Sequence, residues 1–175
     1  MPASPDLTTH LQKILIAQFE AALAMLKDCI QACPAEHWEG IIGKYPFWQV
    51  AYHTLCFVDL YLSPDEKTFQ LRDLHPAGWA EFNEEHPSRL FTPAELLRYI
   101  DICRDKAREI FAAETAEFLQ TPSGISWIPF SRAELHLYNL RHLQHHTGQL
   151  GAYLRKAIPT LQSQKSLPWI RTGWR

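Results

Sequence analysis

Histidine spacing gives this chain its clearest sign of chemistry. Three histidines, His142, His145 and His146, fall within five residues of a run with helical periodicity, and His53 lies in a second such run. At about 100° per residue, His142 and His146 lie one turn apart on nearly the same helix face, so both imidazoles can reach one point. Because neutral imidazole is the commonest metal ligand, this pair and His53 predict a three-histidine metal site with open coordination positions.

Spacing alone leaves two alternatives open. Buried histidines are often hydrogen-bonded core residues, and a pair four residues apart also arises by chance. In addition, His142 could pair with His145, but these two differ by about 60° around the helix, whereas His142 and His146 differ by about 40°. We therefore favour His146 as the ligand and interpret His145 as a pocket wall or interface residue. Zinc is the default ion for such a set, and histidine ligands also suit nickel, iron(II) and manganese.

Four proline-free stretches must position these histidines, because a proline inside a helix costs about 3 kcal/mol. They are residues 6–33, 47–63, 94–121 and 130–158. Each has helical rather than strand periodicity, with His53 in the second stretch and the other three histidines in the fourth. Four amphipathic helices predict an all-α fold, a four-helix bundle.

Two helix starts are marked by capping residues. Thr92, Pro93 and Glu95 open the third helix, and Ser131 with Glu134 opens the fourth. Residues 64–91, between the second and third helices, are far longer than the two to eight residues of a usual bundle turn. They predict a long crossover that makes these two helices parallel. Whether the crossover also closes as a lid over one end of the bundle is left open.

Length and composition indicate one globular domain over residues 1–175. Apolar residues make up 46% and charged residues 21%, which excludes general disorder. With a net charge of −2, we expect no nucleic-acid partner, because phosphate binding needs a basic footprint. We also expect a cytoplasmic protein without a membrane partner, since neither a signal peptide nor about 18 uninterrupted apolar residues is visible. Tryptophans in the tail, residues 158–175, predict that it packs on the bundle or on a dimer partner.

Further polar residues share the faces of the proposed ligands. They predict a pocket lining of Gln49, Tyr138, Gln149 and Tyr153. The same residues could be core residues with satisfied polar tips. No residue is assigned as catalytic, because Glu84, Glu85 and His86 could move protons only if the crossover folds over the site.

One family has the same pattern. The string HLQHHTGQ at residues 142–149, together with WQVAYHTL at residues 48–55, resembles the hallmark of the DinB/YfiT-like proteins over most of the chain. The resemblance implies a bundle with a long second connection, a divalent zinc or nickel ion on His53, His142 and His146, and a homodimer. It also implies a metal-dependent hydrolase or a transferase that uses a small-thiol cosubstrate, acting on a small molecule. The alternative is a non-catalytic metal- or ligand-binding bundle of the stress response.

Overall fold

The computed structural model describes residues 6–69, 90–163 and 167–174. Within these ranges the chain forms α-helices, one turn of 3-10 helix at Ala35–His37, and a two-stranded hairpin of β1 (Ile41–Ile42) and β2 (Tyr45–Pro46). The α-helices are α1 (Leu7–Ala32), α2 (Phe47–Leu62), α3 (Pro93–Ala113), α4 (Ala116–Leu119), α5 (Arg132–Ala157) and α6 (Pro159–Ser163). The predicted all-α class is confirmed. In this part of the chain, no helix is long and apolar enough to cross a membrane.

The four long helices surround one core. Both α1 and α2 pack against α3 and α5, so α1 and α2 occupy opposite corners of the bundle. The apolar stripes of all four meet in the middle, where residues such as Phe19, Leu55, Ile100 and Leu143 are at most 1% exposed. Their burial fixes the rotation of each helix, and hence the direction in which its polar residues point.

Contacts between α2 and α3 show that these helices run parallel. At the start of α2, the ring of Trp48 lies 6.0 Å from that of Phe91, just before α3, and at the end of α2 the Ser63 hydroxyl accepts from the Lys106 ammonium of the C-terminal half of α3 at 2.7 Å. Parallel neighbours need a long connection. Most of the predicted crossover, residues 70–89, lies outside the described residues, so its path and its role as a lid stay predictions.

The third proline-free stretch does not form one helix. After Ala113 the backbone of Glu114 is extended, at ψ 135°, and the Thr115 hydroxyl then caps α4. The Glu114 carboxylate, 5% exposed, turns inward and contacts His136 Nε2 at 2.7 Å and Arg132 Nε at 3.4 Å. The break therefore places a carboxylate beside two buried basic side chains.

Arg132, at the first turn of α5, closes the same end of the bundle. Its guanidinium is 1% exposed and donates to the carbonyls of Leu62 and Ser63 at 3.0 and 2.6 Å. These carbonyls end α2 and have no partner within a helix. One buried cation thus caps α2 and pairs with Glu114, and we call Glu114, Arg132 and His136 the closed cluster.

The hairpin is held against α5. Gly43 has φ +64° in its turn, a conformation that favours glycine. A side chain at Gly40, before the hairpin, would meet the Tyr153 hydroxyl, because an added Cβ would lie 1.8 Å from that oxygen. Each strand has only two residues, which is too short for a periodic pattern that would predict it.

Residues 167–174 of the tail pack on α1. Ile170 is buried against Ala21 and Ala24. The ring of Trp174 lies beside the charged groups of Lys27 and Arg104, at 4.9 and 4.6 Å from its centroid. The packing is within one chain, and a dimer contact through the tail stays a prediction.

Candidate metal centre

Two antiparallel helices bring the three histidines together. His53 comes from α2, and His142 and His146 come from α5. The Nε2 atoms of His53 and His142 are 3.4 Å apart, and one ligand atom from each of the three rings lies within 4.8 Å of the others. Two nitrogens bound at 2.0–2.1 Å to a tetrahedral zinc ion lie about 3.3 Å apart. The cluster can therefore hold a metal ion with small side-chain adjustments.

Burial keeps these imidazoles in the neutral form that binds metal. Burial, followed by the charge of His146, lowers the pKa of His53 to about 4. Burial lowers the pKa of His142 to about 3, with further contributions from His146, His53 and His145. Burial also lowers the pKa of His146, whereas the hydrogen bond that His146 donates to Gln149 raises it. No proton has to be displaced at neutral pH before an ion binds.

Gln149 orients His146. Its Oε1 lies 2.8 Å from His146 Nδ1, so that Nδ1–H donates and Nε2 is left for the cluster. The neighbouring His145 is exposed, and its ring lies 4.9 Å from that of His146, outside the three-histidine cluster. The structure thus distinguishes the two adjacent histidines by burial and direction.

Aromatic rings form one wall of the cluster. The Phe57 ring lies 4.7 Å from that of His53 and 5.3 Å from that of His142, and Tyr61 meets His142 edge-on at 6.2 Å. These rings exclude water from one side of the imidazoles. An ion would therefore be approached from the other side.

A cavity of about 300 Å³ opens on that side of the cluster. The hairpin, α2 and α5 all contribute to its lining. The lining residues are Ile42, Gly43, Lys44, Tyr45, Gln49, Val50, His53, His146 and Gln149. The volume is at the lower end of the range for small-molecule sites. Gln49 and Gln149 of the predicted lining thus lie at this cavity.

The two predicted tyrosines lie elsewhere. Tyr138 lines a separate, open cavity of about 420 Å³ together with His142 and His145. The Tyr153 hydroxyl lies 3.1 Å from His37 Nδ1, and its ring packs on Phe47 at 6.0 Å. Tyr153 therefore anchors the segment before the hairpin and does not appear among the described residues that line the 300 Å³ cavity.

Lys44 and Tyr45 are cavity residues that the sequence reasoning missed. They belong to the hairpin, whose available signal was Gly43 between two short apolar pairs, Ile41–Ile42 and Tyr45–Pro46. The hairpin lies between the first two proline-free stretches, where no helical periodicity predicts an element. It brings the only ammonium group among the described residues of the cavity lining.

The cysteines lie away from the cluster. None of the four forms a disulfide, and none lines the 300 Å³ cavity in the part of the chain that is described. Burial, and then the charge of Asp28, raises the pKa of Cys29 to about 12. Burial, and then the charge of Glu36, raises the pKa of Cys33 to about 12 as well. Both remain thiols at neutral pH and are poor nucleophiles.

Comparison with known proteins identifies the family. A family model described as the DinB superfamily matches residues 14–150, a range that includes His53, His142 and His146. No curated protein and no solved structure matches the chain. The match covers well over half of the 175 residues and agrees with the helical fold and the three-histidine cluster. The chain therefore belongs to the DinB superfamily.

Proposed function

We propose that this protein is a metal-dependent enzyme that acts on a small molecule at a divalent ion held by His53, His142 and His146. The observation that carries the proposal is the convergence of three neutral imidazoles, with ligand atoms within 4.8 Å of one another, beside a cavity of about 300 Å³. Three protein ligands on one side of an ion leave positions open, which is typical of catalytic rather than structural sites.

Zinc is the first candidate for the ion, and nickel is the second. Three imidazoles and an open position match known catalytic zinc sites, and imidazole also suits nickel. A divalent ion bound there supplies Lewis acidity toward a substrate atom that enters from the cavity.

The cavity residues would bind and orient the substrate. The amides of Gln49 and Gln149 can each donate and accept hydrogen bonds, and the Tyr45 phenol can do the same. The Lys44 ammonium at the hairpin favours a substrate that carries negative charge. These groups fix a small polar molecule with one end toward the histidines.

Between the two reaction classes, the lining favours transfer of a small thiol. Hydrolysis requires a group that takes a proton from water, and no carboxylate lines the cavity among the described residues. A thiol loses its proton far more readily, with an ordinary pKa of about 8.5. Because Cys29 and Cys33 stay protonated and lie elsewhere, the thiol would come from a cosubstrate. Hydrolysis is the second reaction class.

A non-catalytic metal- or ligand-binding protein is the other candidate function. The same lack of a carboxylate in the described lining favours it, because an ion without a proton acceptor can bind a ligand and leave it unchanged. The two candidates share the metal centre and differ in turnover.

Metal analysis tests the shared part of the proposal. The protein, its His142→Ala variant and its His145→Ala variant would be loaded with zinc or nickel, desalted and assayed for metal and protein. We expect one ion per chain in the wild type and in His145→Ala, the matched control, and loss in His142→Ala. Equal metal content in all three proteins would refute the site.

Turnover separates the two candidates. The zinc-loaded protein would be incubated with a small thiol and an electrophilic test substrate, with His142→Ala as the control. Thiol consumption that depends on His142 supports the enzyme, whereas stoichiometric zinc without turnover of a range of thiols supports the binding protein.

The homodimer is also a proposal. It rests on the family resemblance and on the 73% exposure of Trp169 in the tail. Sedimentation of the wild type and of Trp169→Ser tests both the dimer and this contact.

A further inference from the structure

Three buried polar atoms along α5 have no hydrogen-bond partner within the described residues. They are His136 Nδ1, Asn139 Oδ1 and His142 Nδ1. Residues three apart are neighbours on a helix surface, so Asn139 lies beside both His136 and His142. Both His136 and Asn139 are 0% exposed. Since buried polar atoms are nearly always hydrogen-bonded, a group of three indicates a polar ligand inside the bundle.

The hydrogen-bonding role of each atom follows from its neighbours and, for His142, from its tautomer. His142 Nε2 faces His53 Nε2 at 3.4 Å, and in the tautomer that keeps the Nε2 lone pair on the cluster, Nδ1 carries the proton and donates. The Asn139 amide nitrogen donates to the Val58 carbonyl at 3.3 Å, which makes Oδ1 an acceptor. His136 Nε2–H points at the Glu114 carboxylate at 2.7 Å, so its Nδ1 is also an acceptor. The group therefore contains one donor and two acceptors.

Water complements this set. One donor can satisfy only one of two acceptors, whereas a water molecule accepts one hydrogen bond and donates two. Buried waters typically make about three hydrogen bonds. His136 and His142 are six residues, or about 9 Å, apart along the helix axis and about 120° apart around it, so each would need its own water, shared with the two lone pairs of Asn139 Oδ1 between them. Ordered water can therefore supply the acceptor and the donors that the three atoms need, whereas a single apolar or ionic group cannot.

We propose that ordered water binds on this face of α5, accepts from His142 Nδ1–H and donates to Asn139 Oδ1 and His136 Nδ1. Asn139 is then a positioning residue for His142. The resulting chain of hydrogen bonds runs from the three-histidine cluster to Glu114 and Arg132 in the closed cluster.

The effect on metal binding rests on the proposed function, whereas the water site does not. A histidine ligand usually donates its second N–H to an outer partner, which fixes its tautomer and direction. Gln149 does this for His146 directly, at 2.8 Å. Asn139 does it for His142 through water. Loss of such a partner lowers metal affinity by about 10- to 100-fold.

Two substitutions at one position test the effect on affinity. Asn139→Leu removes Oδ1 at similar volume, and Asn139→Asp keeps an acceptor there. Both change the donor to Val58, so the difference between the variants reports on the acceptor together with the charge that a carboxylate brings. In competition with a chromophoric chelator, we expect zinc affinity to fall about 10- to 100-fold in Asn139→Leu and to stay near wild type in Asn139→Asp. Equal affinities in the two variants would overturn the positioning role.

A measurement on the metal-free wild type tests the water site itself. Long-range ¹⁵N–¹H NMR should show the proton of His142 on Nδ1 and in slow exchange, and a high-resolution crystal structure should show water bonded to His142 Nδ1 and Asn139 Oδ1. A dry interior would overturn the proposal even if zinc binds. If zinc does not bind but the water and the slow proton are present, the proposed function fails and this inference stands. Because both readouts use wild type, they decide the question even if the variants fail to fold.

Discussion

The two histidine-containing clusters on α5 differ in how their polar atoms are paired. In the closed cluster, His136 Nε2 lies 2.7 Å from the Glu114 carboxylate, which also contacts Arg132. In the three-histidine cluster, the Nε2 atoms of His53 and His142 face each other at 3.4 Å and the cavity adjoins them, and no carboxylate from residues 6–69, 90–163 or 167–174 belongs to the cluster. Burial lowers the pKa of His136 and of His142 alike. The two clusters therefore differ in the groups that their histidine nitrogens contact rather than in the effect of burial on the histidine pKa values.

The difference shows which cluster stabilises the fold and which is suited to bind a ligand. In the closed cluster a buried cation and a buried anion are matched, so removing either one leaves the other charge without its partner. In the three-histidine cluster, three imidazoles converge so that one divalent cation can bind them together. Substitutions in the first should change stability, and substitutions in the second should change metal binding.

Breaking the closed cluster should give the largest effect. Arg132→Met removes the cation from buried Glu114 and leaves two α2 carbonyls without their donor. We expect the free energy of unfolding to fall by about 3–5 kcal/mol, because an uncompensated charge remains buried. Urea denaturation of the metal-free protein measures this.

An exposed ion pair provides the control for that substitution. Asp105, with its side chain 63% exposed, pairs with Arg104, so Asp105→Asn should change stability by less than about 1 kcal/mol. Similar losses in Arg132→Met and Asp105→Asn would contradict the difference between buried and exposed pairs.

In the three-histidine cluster, the expected effect is on metal-dependent stability. Zinc at 100 times its dissociation constant should stabilise the wild type by about 2.7 kcal/mol. His142→Leu should abolish this gain while the metal-free protein stays folded. Melting curves with zinc and with chelator measure it. An equal zinc-induced shift in both proteins would show that the ion binds elsewhere.

The pH dependence of the metal-free protein should report the same histidines. Their ordinary pKa of 6.5 falls to about 4 in His53 and about 3 in His142. Between pH 6.5 and pH 4 the unfolded chain therefore binds more protons than the folded protein, and stability decreases as pH falls. The slope reaches at most about 1.4 kcal/mol per pH unit for each histidine.

His142→Leu should have a shallower slope over this pH window, because one of the two groups is gone. Urea denaturation at closely spaced pH values would show it. Parallel pH profiles for the wild type and the variant would contradict the lowered pKa of His142.

The sequence predicts features whose cause lies within a few residues along the chain or in the apolar stripe of a helix. The capping box of Thr92 and Glu95 is local and is present in the structure, with Glu95 Oε2 accepting from the Thr92 N–H at 2.8 Å. The pairing of His142 and His146 follows from helical periodicity, and their approach to His53 follows from the burial of both apolar stripes. These features required no knowledge of the path of the connections.

The features that the sequence did not predict depend on tertiary contacts. Glu114 lies 22 residues before His136, and no periodicity links a residue at a helix end to the next long helix. The hairpin beside the cavity is too short for a strand pattern and is fixed by Tyr153 under Gly40. No local signal distinguishes Asn139 from the other polar residues of α5, although it is 0% exposed. In each case packing, rather than local preference, decides the conformation.

The smallest effect expected is that of Gln149, the exposed counterpart of Asn139. Gln149→Met removes the acceptor of His146 Nδ1–H, but Gln149 is exposed and bulk water can take its place. Zinc affinity should therefore fall less than tenfold, below the loss expected for Asn139→Leu, whose site is shut off from bulk solvent. Chelator competition on both variants ranks them. A larger loss of zinc affinity in Gln149→Met than in Asn139→Leu would contradict this order. It would show that the direct contact of Gln149 with His146 contributes more to zinc binding than the buried hydrogen bond proposed for His142 Nδ1.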